Sequence, residues 1–135
     1  MSIIEIDSTK IFFDRAKTQS YQLEKSQSCE CQGCKNYYEN LKNKHELINF
    51  LSAFGIDCFS AEEVLDSSAG DTLIHYEVYY GIAGYMDRDE AVLRDFGVKL
   101  SFRKSVNLLH DIPENFLWIV VENDFPFVLN EERDI

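Results

Sequence analysis

A long alternating segment, residues 72–86, does most to limit the folds that this chain can adopt. Apolar and aromatic side chains occupy every second position of it: Ile74, Tyr76, Val78, Tyr80 and Ile82. The positions between them are mixed in polarity: Leu73, His75, Glu77 and Tyr79. A period of two indicates a β-strand, because successive side chains of a strand point to opposite faces of the sheet. The segment therefore predicts a strand with one buried face and one partly solvent-exposed face.

Four other segments carry strand patterns. Residues 3–6 and 11–13 predict a hairpin at the start of the chain. Residues 98–102 alternate between apolar and polar side chains, which predicts a strand with one wet face. Residues 116–121 are apolar on both faces and predict a central strand that is covered on both sides. Residues 91–96 fit neither a helix nor a strand pattern clearly.

The predicted helices lie between the early and the late strands. Apolar residues spaced three or four apart between Tyr37 and Leu51 predict two helices that meet near Asn43. Ser60 and Glu63 have the spacing of a capping box, which predicts a third, short helix that runs to about residue 65.

The order of these segments predicts the fold class. The polar residues 15–28 predict a loop, with a short helical turn near Tyr21 and Leu23 as the alternative. The helices of the 34–66 region have strands before and after them. We therefore expect an α+β fold, in which an antiparallel sheet carries two or three helices from the 34–66 region on one face. The 135 residues contain no linker-like stretch, so we expect a single α+β domain over residues 1–135. A domain of this length buries enough surface to fold without a metal ion or a disulfide.

The chain is strongly acidic. It has 13 basic and 24 acidic side chains, a net charge of −11. Residues 61–135 alone carry six basic and sixteen acidic side chains, a net charge of −10. Such a field repels phosphate groups, which argues against nucleic acids and anionic membranes as partners. It is typical of a solubilising surface, and it also suits a basic protein partner.

The N-terminal residues and the hydropathy of the chain predict its compartment. Residues 1–6 are apolar, but they lack the cationic start and the long apolar region of a signal peptide. No stretch of the sequence approaches the roughly 20 apolar residues that a membrane span needs. We therefore expect a cytoplasmic protein, whose thiols stay reduced.

Three of the four cysteines are clustered. Cys29, Cys31 and Cys34 form the pattern C-x-C-x-x-C. Thiolates are ligands that zinc prefers, and a structural zinc site wants four ligands. The fourth would have to come from elsewhere, and Cys58 and His45 are the candidates. The metal-ligand candidates are thus Cys29, Cys31, Cys34, Cys58 and His45.

The same cysteines have two other interpretations. A thiol at the start of a helix is made more reactive by the helix dipole, which would suit redox chemistry at Cys31. The strand before the motif in thioredoxin-like proteins is missing here, however. Small thiols packed under a helix start, with no chemical role, are the third interpretation, and no cofactor is then expected.

The cysteine motif also carries a resemblance. The pattern Cys29-x-Cys31-x-x-Cys34-x-Asn36-Tyr37, the triplet Gly55-Ile56-Asp57 and the late Pro126-Phe127-Val128-Leu129 resemble a family of small bacterial proteins of unknown function. A tryptophan commonly follows the late proline in that family, where this chain has Phe127. The resemblance implies a bacterial cytoplasmic protein in which the cysteines and Asn36-Tyr37 belong to one local structure. It implies no reaction, cofactor or partner, and no fixed fourth cysteine.

Three other groups of residues have side chains of the types found at catalytic or metal sites. His75 and Glu77 share a predicted strand face and have the residue types of a general base and its orienting carboxylate, but a solvated sheet face explains them as well. His110 and Asp111 are neighbours in a predicted loop. Asp87, Asp89 and Glu90 could offer oxygens to calcium, but the run lacks EF-hand spacing. The aromatic residues predicted to lie in the core are Tyr76, Tyr80, Phe102 and Trp118.

Two functions from different classes follow from these observations. The first is a non-catalytic acidic interaction protein of the bacterial cytoplasm with a basic protein partner, comparable in size and charge to a bacterial immunity protein. The alternative is a zinc-binding or thiol-redox module centred on Cys29, Cys31 and Cys34. The chain contains no nucleotide-binding, nucleophile-elbow or zinc-protease motif, so the sequence argues against an enzyme more than for one.

Overall fold

Seven strands and three helices make up the computed structural model, which describes residues 1–24, 29–106 and 113–133. The strands are β1 (Ser2–Ile6), β2 (Thr9–Phe13), β3 (Glu63–Ser68), β4 (Leu73–Met86), β5 (Glu90–Asp95), β6 (Val98–Arg103) and β7 (Phe116–Pro126). The helices are α1 (Arg15–Glu24), α2 (Gln32–Leu41) and α3 (His45–Ser52). The predicted α+β fold is confirmed, since the helices lie between two groups of antiparallel strands.

Strand β4 organises the sheet. The strand order is β1-β2-β4-β7-β6-β5, and β3 pairs with β4 as well. Strand β7 lies between β4 and β6, with Ile119 opposite both Tyr80 and Phe102. Residues 116–121 are buried, so the prediction of a central strand covered on both faces is confirmed.

Helix α1 closes part of one edge of β4, where the sequence predicts a loop. The backbone amide of Asp14 donates to the carbonyl oxygen of Ala83 at 2.9 Å, and the Thr18 hydroxyl accepts from the amide of Ala83 at 2.9 Å. The ring of Tyr21 packs edge-on against Phe116, with centroids 4.9 Å apart. The prediction of a loop is wrong for residues 15–24, and the helical turn given as the alternative near Tyr21 and Leu23 is part of a longer helix. The partners above, distant in sequence, stabilise this helix although its apolar pattern is weak. Residues 25–28 lie outside the described residues.

Strand β3 replaces the short helix predicted after Ser60. Residues Glu63–Ser68 pair with Ile74–Tyr79 of β4, and the amide of Glu62 extends the ladder by donating to the carbonyl of Tyr79 at 2.8 Å. The prediction is wrong because the free edge of β4 offers a full set of backbone hydrogen bonds. A capping box at Ser60 provides far fewer.

Helices α2 and α3 cover one face of the sheet, as expected. Tyr37 of α2 lies 5.5 Å from Tyr76, and Phe54, just after α3, lies 5.7 Å from Phe102, measured between ring centroids. Tyr76, Tyr80 and Phe102 are fully buried, in line with their predicted place in the core. The two helices meet at residues 42–44, close to the predicted junction at Asn43.

The other face of the sheet is only half covered. Tyr79, Trp118 and Val120 form a small buried cluster there, separate from the main core. Trp118 is buried as expected, but on the face opposite to Tyr80 and Phe102. In the described part of the chain, no helix is both long enough and apolar enough to cross a membrane.

Candidate functional site

The three clustered cysteines meet at the start of helix α2. Cys31 is the N-cap residue and Cys34 lies in the first turn, which places both at the positive end of the helix. The sulfur atoms of Cys29, Cys31 and Cys34 all lie within 4.8 Å of one another. The amide of Cys31 donates to the sulfur of Cys29 at 3.3 Å. The sequence prediction that these thiols form one local group is therefore supported by their geometry.

The three thiols differ in environment. Cys29 and Cys31 are exposed, whereas Cys34 is buried. Burial works to raise the pKa of the Cys31 thiol, but hydrogen bonds from the backbone amides of Cys34 and Gly33 and from the neighbouring thiols lower it below its ordinary value. Burial and the charge of its neighbours raise the pKa of Cys34 well above the usual range. The site thus combines one thiol prepared for ionisation with one that resists it.

A carboxylate stands beside the cysteine turn. A Cβ at Gly33 would clash with Oδ2 of Asp66, so the side chain of Asp66 lies directly against the backbone of the C-x-x-C segment. Asp66 and Cys31 line the same open pocket of about 450 Å³, together with Arg133. The pocket gives small molecules access to the exposed thiol.

Asn36 ties the cysteine helix to the end of the chain. Its fully buried side chain donates to the Tyr76 hydroxyl at 3.2 Å and to the carbonyl of Pro126 at 3.1 Å. Its oxygen accepts from the amide of Val128 at 2.8 Å. The Tyr76 hydroxyl in turn donates to the carbonyl of Gly33 at 2.8 Å. Two of the three segments that carry the family resemblance, the cysteine motif and the late Pro126–Leu129, are therefore in direct contact.

The predicted fourth ligands lie elsewhere. Cys58 is buried, its carbonyl accepts a hydrogen bond from Tyr80 at 2.7 Å, and burial raises the pKa of its thiol to about 11. His45 is exposed at the start of α3, at the opposite end of α2 from Cys31. Within the described ranges, the group of ligand atoms around Cys31 includes neither residue.

His75 and Glu90, which belong to the other candidate groups, have carboxylate or arginine partners. His75 lies close to two carboxylates besides Glu77. Its Nδ1 is 2.6 Å from Oδ1 of Asp124, and its Nε2 is 3.3 Å from Oε2 of Glu122. The hydrogen bond with Asp124 raises the pKa of His75, and the nearby carboxylates add to the effect. Glu90, one of the three acidic residues that could offer oxygens to calcium, is paired with Arg103 at 2.8 Å.

Asp87, Asp89 and Glu90 form no cluster of potential metal ligands among residues 1–24, 29–106 and 113–133. His110 and Asp111 lie outside the described residues.

Comparison with known proteins adds no assignment. No family model, curated protein or solved structure matches this chain. The resemblance to a bacterial family stays a prediction, and the function has to be argued from the site.

Sequence reasoning missed three residues around these groups. Asp66, Glu122 and Asp124 belong to no motif in the sequence, because strand pairing determines which side chains lie beside them. The signal that could have found them is the alternation of β4, once its register with β3 and β7 is known.

Proposed function

We propose that this protein is a thiol-based metal-binding module, in which Cys29, Cys31 and Cys34 hold one zinc ion. The observation that carries the proposal is the mutual approach of the three sulfur atoms to within 4.8 Å. Sulfurs bound to one tetrahedral zinc ion at about 2.3 Å lie about 3.8 Å apart, so only small side-chain rotations are needed. Two thiols would be enough for a redox couple, and the third favours a metal.

The surroundings suit thiolate ligands. Cys31 at the helix N-terminus loses its proton more easily than an ordinary thiol, and the amides of Gly33 and Cys34 are oriented towards its sulfur. The first turn is held in place through the contact of Tyr76 with Gly33. A water molecule in the pocket, or the carboxylate of Asp66 beside it, would complete the coordination.

The test is elemental analysis of reduced, tag-free protein, combined with a free-thiol count. We expect one zinc ion per chain and three protected thiols out of four. Cys34→Ser should abolish stoichiometric zinc, whereas Cys58→Ser is the matched control, since it also removes a buried thiol but should keep the zinc. Protein without zinc and with four titratable thiols would refute the proposal.

A second candidate function is thiol–disulfide exchange, and the contrast between Cys31 and Cys34 favours it. The Cys31 thiolate would attack a substrate disulfide, forming a mixed disulfide and releasing the first substrate thiol. Cys34, after losing its proton, would then attack the sulfur of Cys31, which releases the second thiol and leaves a Cys31–Cys34 disulfide. Cys31→Ser should abolish reduction of a model disulfide, and Cys29→Ser should not; equal activity of both variants would refute this function.

The acidic interaction protein stays a prediction, supported by the net charge of −10 on residues 61–135. A basic partner should be recovered in pull-downs at low salt and released as the salt concentration rises. Recovery that does not depend on salt would contradict this role.

A further inference from the structure

A second group of potential metal ligands lies on the half-covered face of the sheet. It is formed by His75 and Glu77 of β4 and by Glu122 of β7, whose ligand atoms all lie within 4.8 Å of one another. Strand register brings them together: Glu77 is directly opposite Glu122, and His75 is directly opposite Asp124. The group therefore belongs to two paired strands in the middle of the sheet, which are among the most rigid elements of a fold.

The imidazole of His75 is oriented as in many metal sites. Its Nδ1 lies 2.6 Å from Oδ1 of Asp124, so the proton of the neutral ring is held on that side. The lone pair of Nε2 then points towards Oε2 of Glu122, 3.3 Å away. A carboxylate that holds the far nitrogen of a ligating histidine fixes the tautomer and raises its basicity as a ligand.

Neighbouring side chains also hold the two glutamates in position. The Tyr79 hydroxyl donates to Oε2 of Glu77 at 2.8 Å, and Lys99 lies 4.0 Å from Oε1 of Glu122. Carboxylates placed directly across a strand pair repel one another, which destabilises the sheet unless a cation lies between them. A cation held between Nε2 of His75 and Oε2 of Glu122, which lie 3.3 Å apart, would relieve this repulsion.

We propose that His75, Glu77 and Glu122 form a binding site for one divalent transition-metal ion such as Mn²⁺, with Asp124 as the residue that positions His75. Nitrogen and oxygen ligands on one ion at about 2.1 Å lie about 3.0–3.4 Å apart, and the distance from Nε2 of His75 to Glu122 falls in that range. One imidazole and two carboxylates suit ions that take oxygen and nitrogen ligands, whereas the thiols at α2 suit softer ions.

The site is open to solvent. His75 and Glu122 line a pocket of about 580 Å³ together with Arg94 and Lys99. The side chain of His75 is 35 % exposed, so three protein ligands leave coordination positions free for water. The bound ion would thus be exchangeable, and its remaining positions would face a cavity with two cationic side chains.

Titration of the reduced wild-type chain with Mn²⁺ at pH 8, followed by electron paramagnetic resonance, tests the proposal. We expect one bound Mn²⁺ per chain, with paramagnetic broadening of NMR signals centred on β4 and β7. His75→Gln and Glu122→Gln should each weaken binding more than about 10-fold, and Asp124→Asn should weaken it about 10-fold through loss of ring orientation.

Matched controls separate this site from general charge effects. His45→Gln removes an exposed histidine and Glu39→Gln an exposed carboxylate. Both residues belong to the helices on the opposite face of the sheet, and neither change should affect Mn²⁺ binding. Circular dichroism establishes that each variant is folded. Three results would overturn the proposal: no bound Mn²⁺ at millimolar concentration, unchanged binding by His75→Gln, or broadening centred on residues 29–34. In the first case, His75 is simply a protonated partner of Glu122 and Asp124.

Discussion

The side-chain oxygen of Asn36 accepts a hydrogen bond from the backbone amide of Val128 at 2.8 Å, across 92 residues of sequence. The nitrogen of the same side chain donates to the carbonyl of Pro126. One buried amide thus satisfies two backbone groups at the point where β7 ends. Because Asn36 follows Cys34 by two residues, the geometry of the thiol site and the path of the chain after β7 depend on each other.

Replacing Asn36 should therefore destabilise the fold. Asn36→Ala leaves the Val128 amide without this partner and removes the hydrogen bond that Asn36 donates to the Tyr76 hydroxyl. We therefore expect the free energy of unfolding to fall by about 2–4 kcal/mol. Asn40→Ala, which removes a half-buried amide that also donates to Pro126, should cost less than about 1 kcal/mol. Urea denaturation measures both, and equal losses would contradict the role assigned to Asn36.

The reactivity of the thiols should follow their environments. We expect iodoacetamide to modify Cys31 in the metal-free protein well before Cys34 and Cys58, because only the thiolate reacts and burial raises the pKa of the latter two thiols. Mass spectrometry of peptides after timed quenching at pH 7.5 gives the rates. Zinc should slow the modification of Cys31, and similar rates for Cys31 and Cys58 without zinc would contradict the prediction.

Two buried tyrosines should make the fold sensitive to alkali. Tyr37 and Tyr80 share a hydrogen bond of 2.8 Å in the core, and burial raises the pKa of both hydroxyls far above the usual value. Above about pH 10 the unfolded chain loses these protons while the folded chain keeps them, so stability is complete below that pH and falls as the pH rises.

Tyr80→Phe isolates this effect. We expect a loss of about 1–2 kcal/mol at pH 7, because the hydrogen bond to the Cys58 carbonyl disappears. Above about pH 11 the stability of the variant should fall less steeply than that of the wild type, by about 1.4 kcal/mol per pH unit. Urea denaturation at a series of pH values measures the slope, with Tyr85→Phe, at an exposed position, as the control. Parallel curves for Tyr80→Phe and the wild type would refute the prediction.

Gly84 should be essential for the pairing of β2 with β4. A Cβ there would collide with the carbonyl oxygen of Phe12, a backbone atom in the paired strand. We expect Gly84→Ala to cost about 1–3 kcal/mol and to increase amide exchange in β2. Gly33→Ala is the matched control: its Cβ meets the end of the Asp66 side chain, which can rotate away, so the cost should be smaller. A larger loss for Gly33→Ala would contradict this reasoning.

The fold could be predicted where the signal is local. Two patterns can be recognised within a few consecutive residues: the alternation around Tyr76 and Tyr80, and the helical spacing between Tyr37 and Leu51. The strand and the helices that they predict are confirmed. The full length of helix α1 could not be predicted, because its stabilising partners are remote in sequence. The amide of Ala83, for example, donates to Thr18 of α1 and lies 65 residues away from it along the chain. Strand β3 was missed for the same reason, since the edge of β4 is created only by folding.

The same distinction applies to the sites. Cys29, Cys31 and Cys34 are close in sequence, so their meeting could be predicted. Glu122 and Asp124 join His75 only through the register of β4 with β7, which alternation within one strand does not specify. The role of Asn36 likewise depends on a partner near the other end of the chain.

The position of β7 also determines when this protein can fold. It is the last strand in the described part of the chain, and it lies in the middle of the sheet, with β4 on one side and β6 on the other. During synthesis, the strands made earlier therefore emerge as two groups without the strand that joins them. We expect the sheet to close only after β7 has left the ribosome, so that the exposed edges of β4 and β6 depend on chaperones, or on fast synthesis, until then.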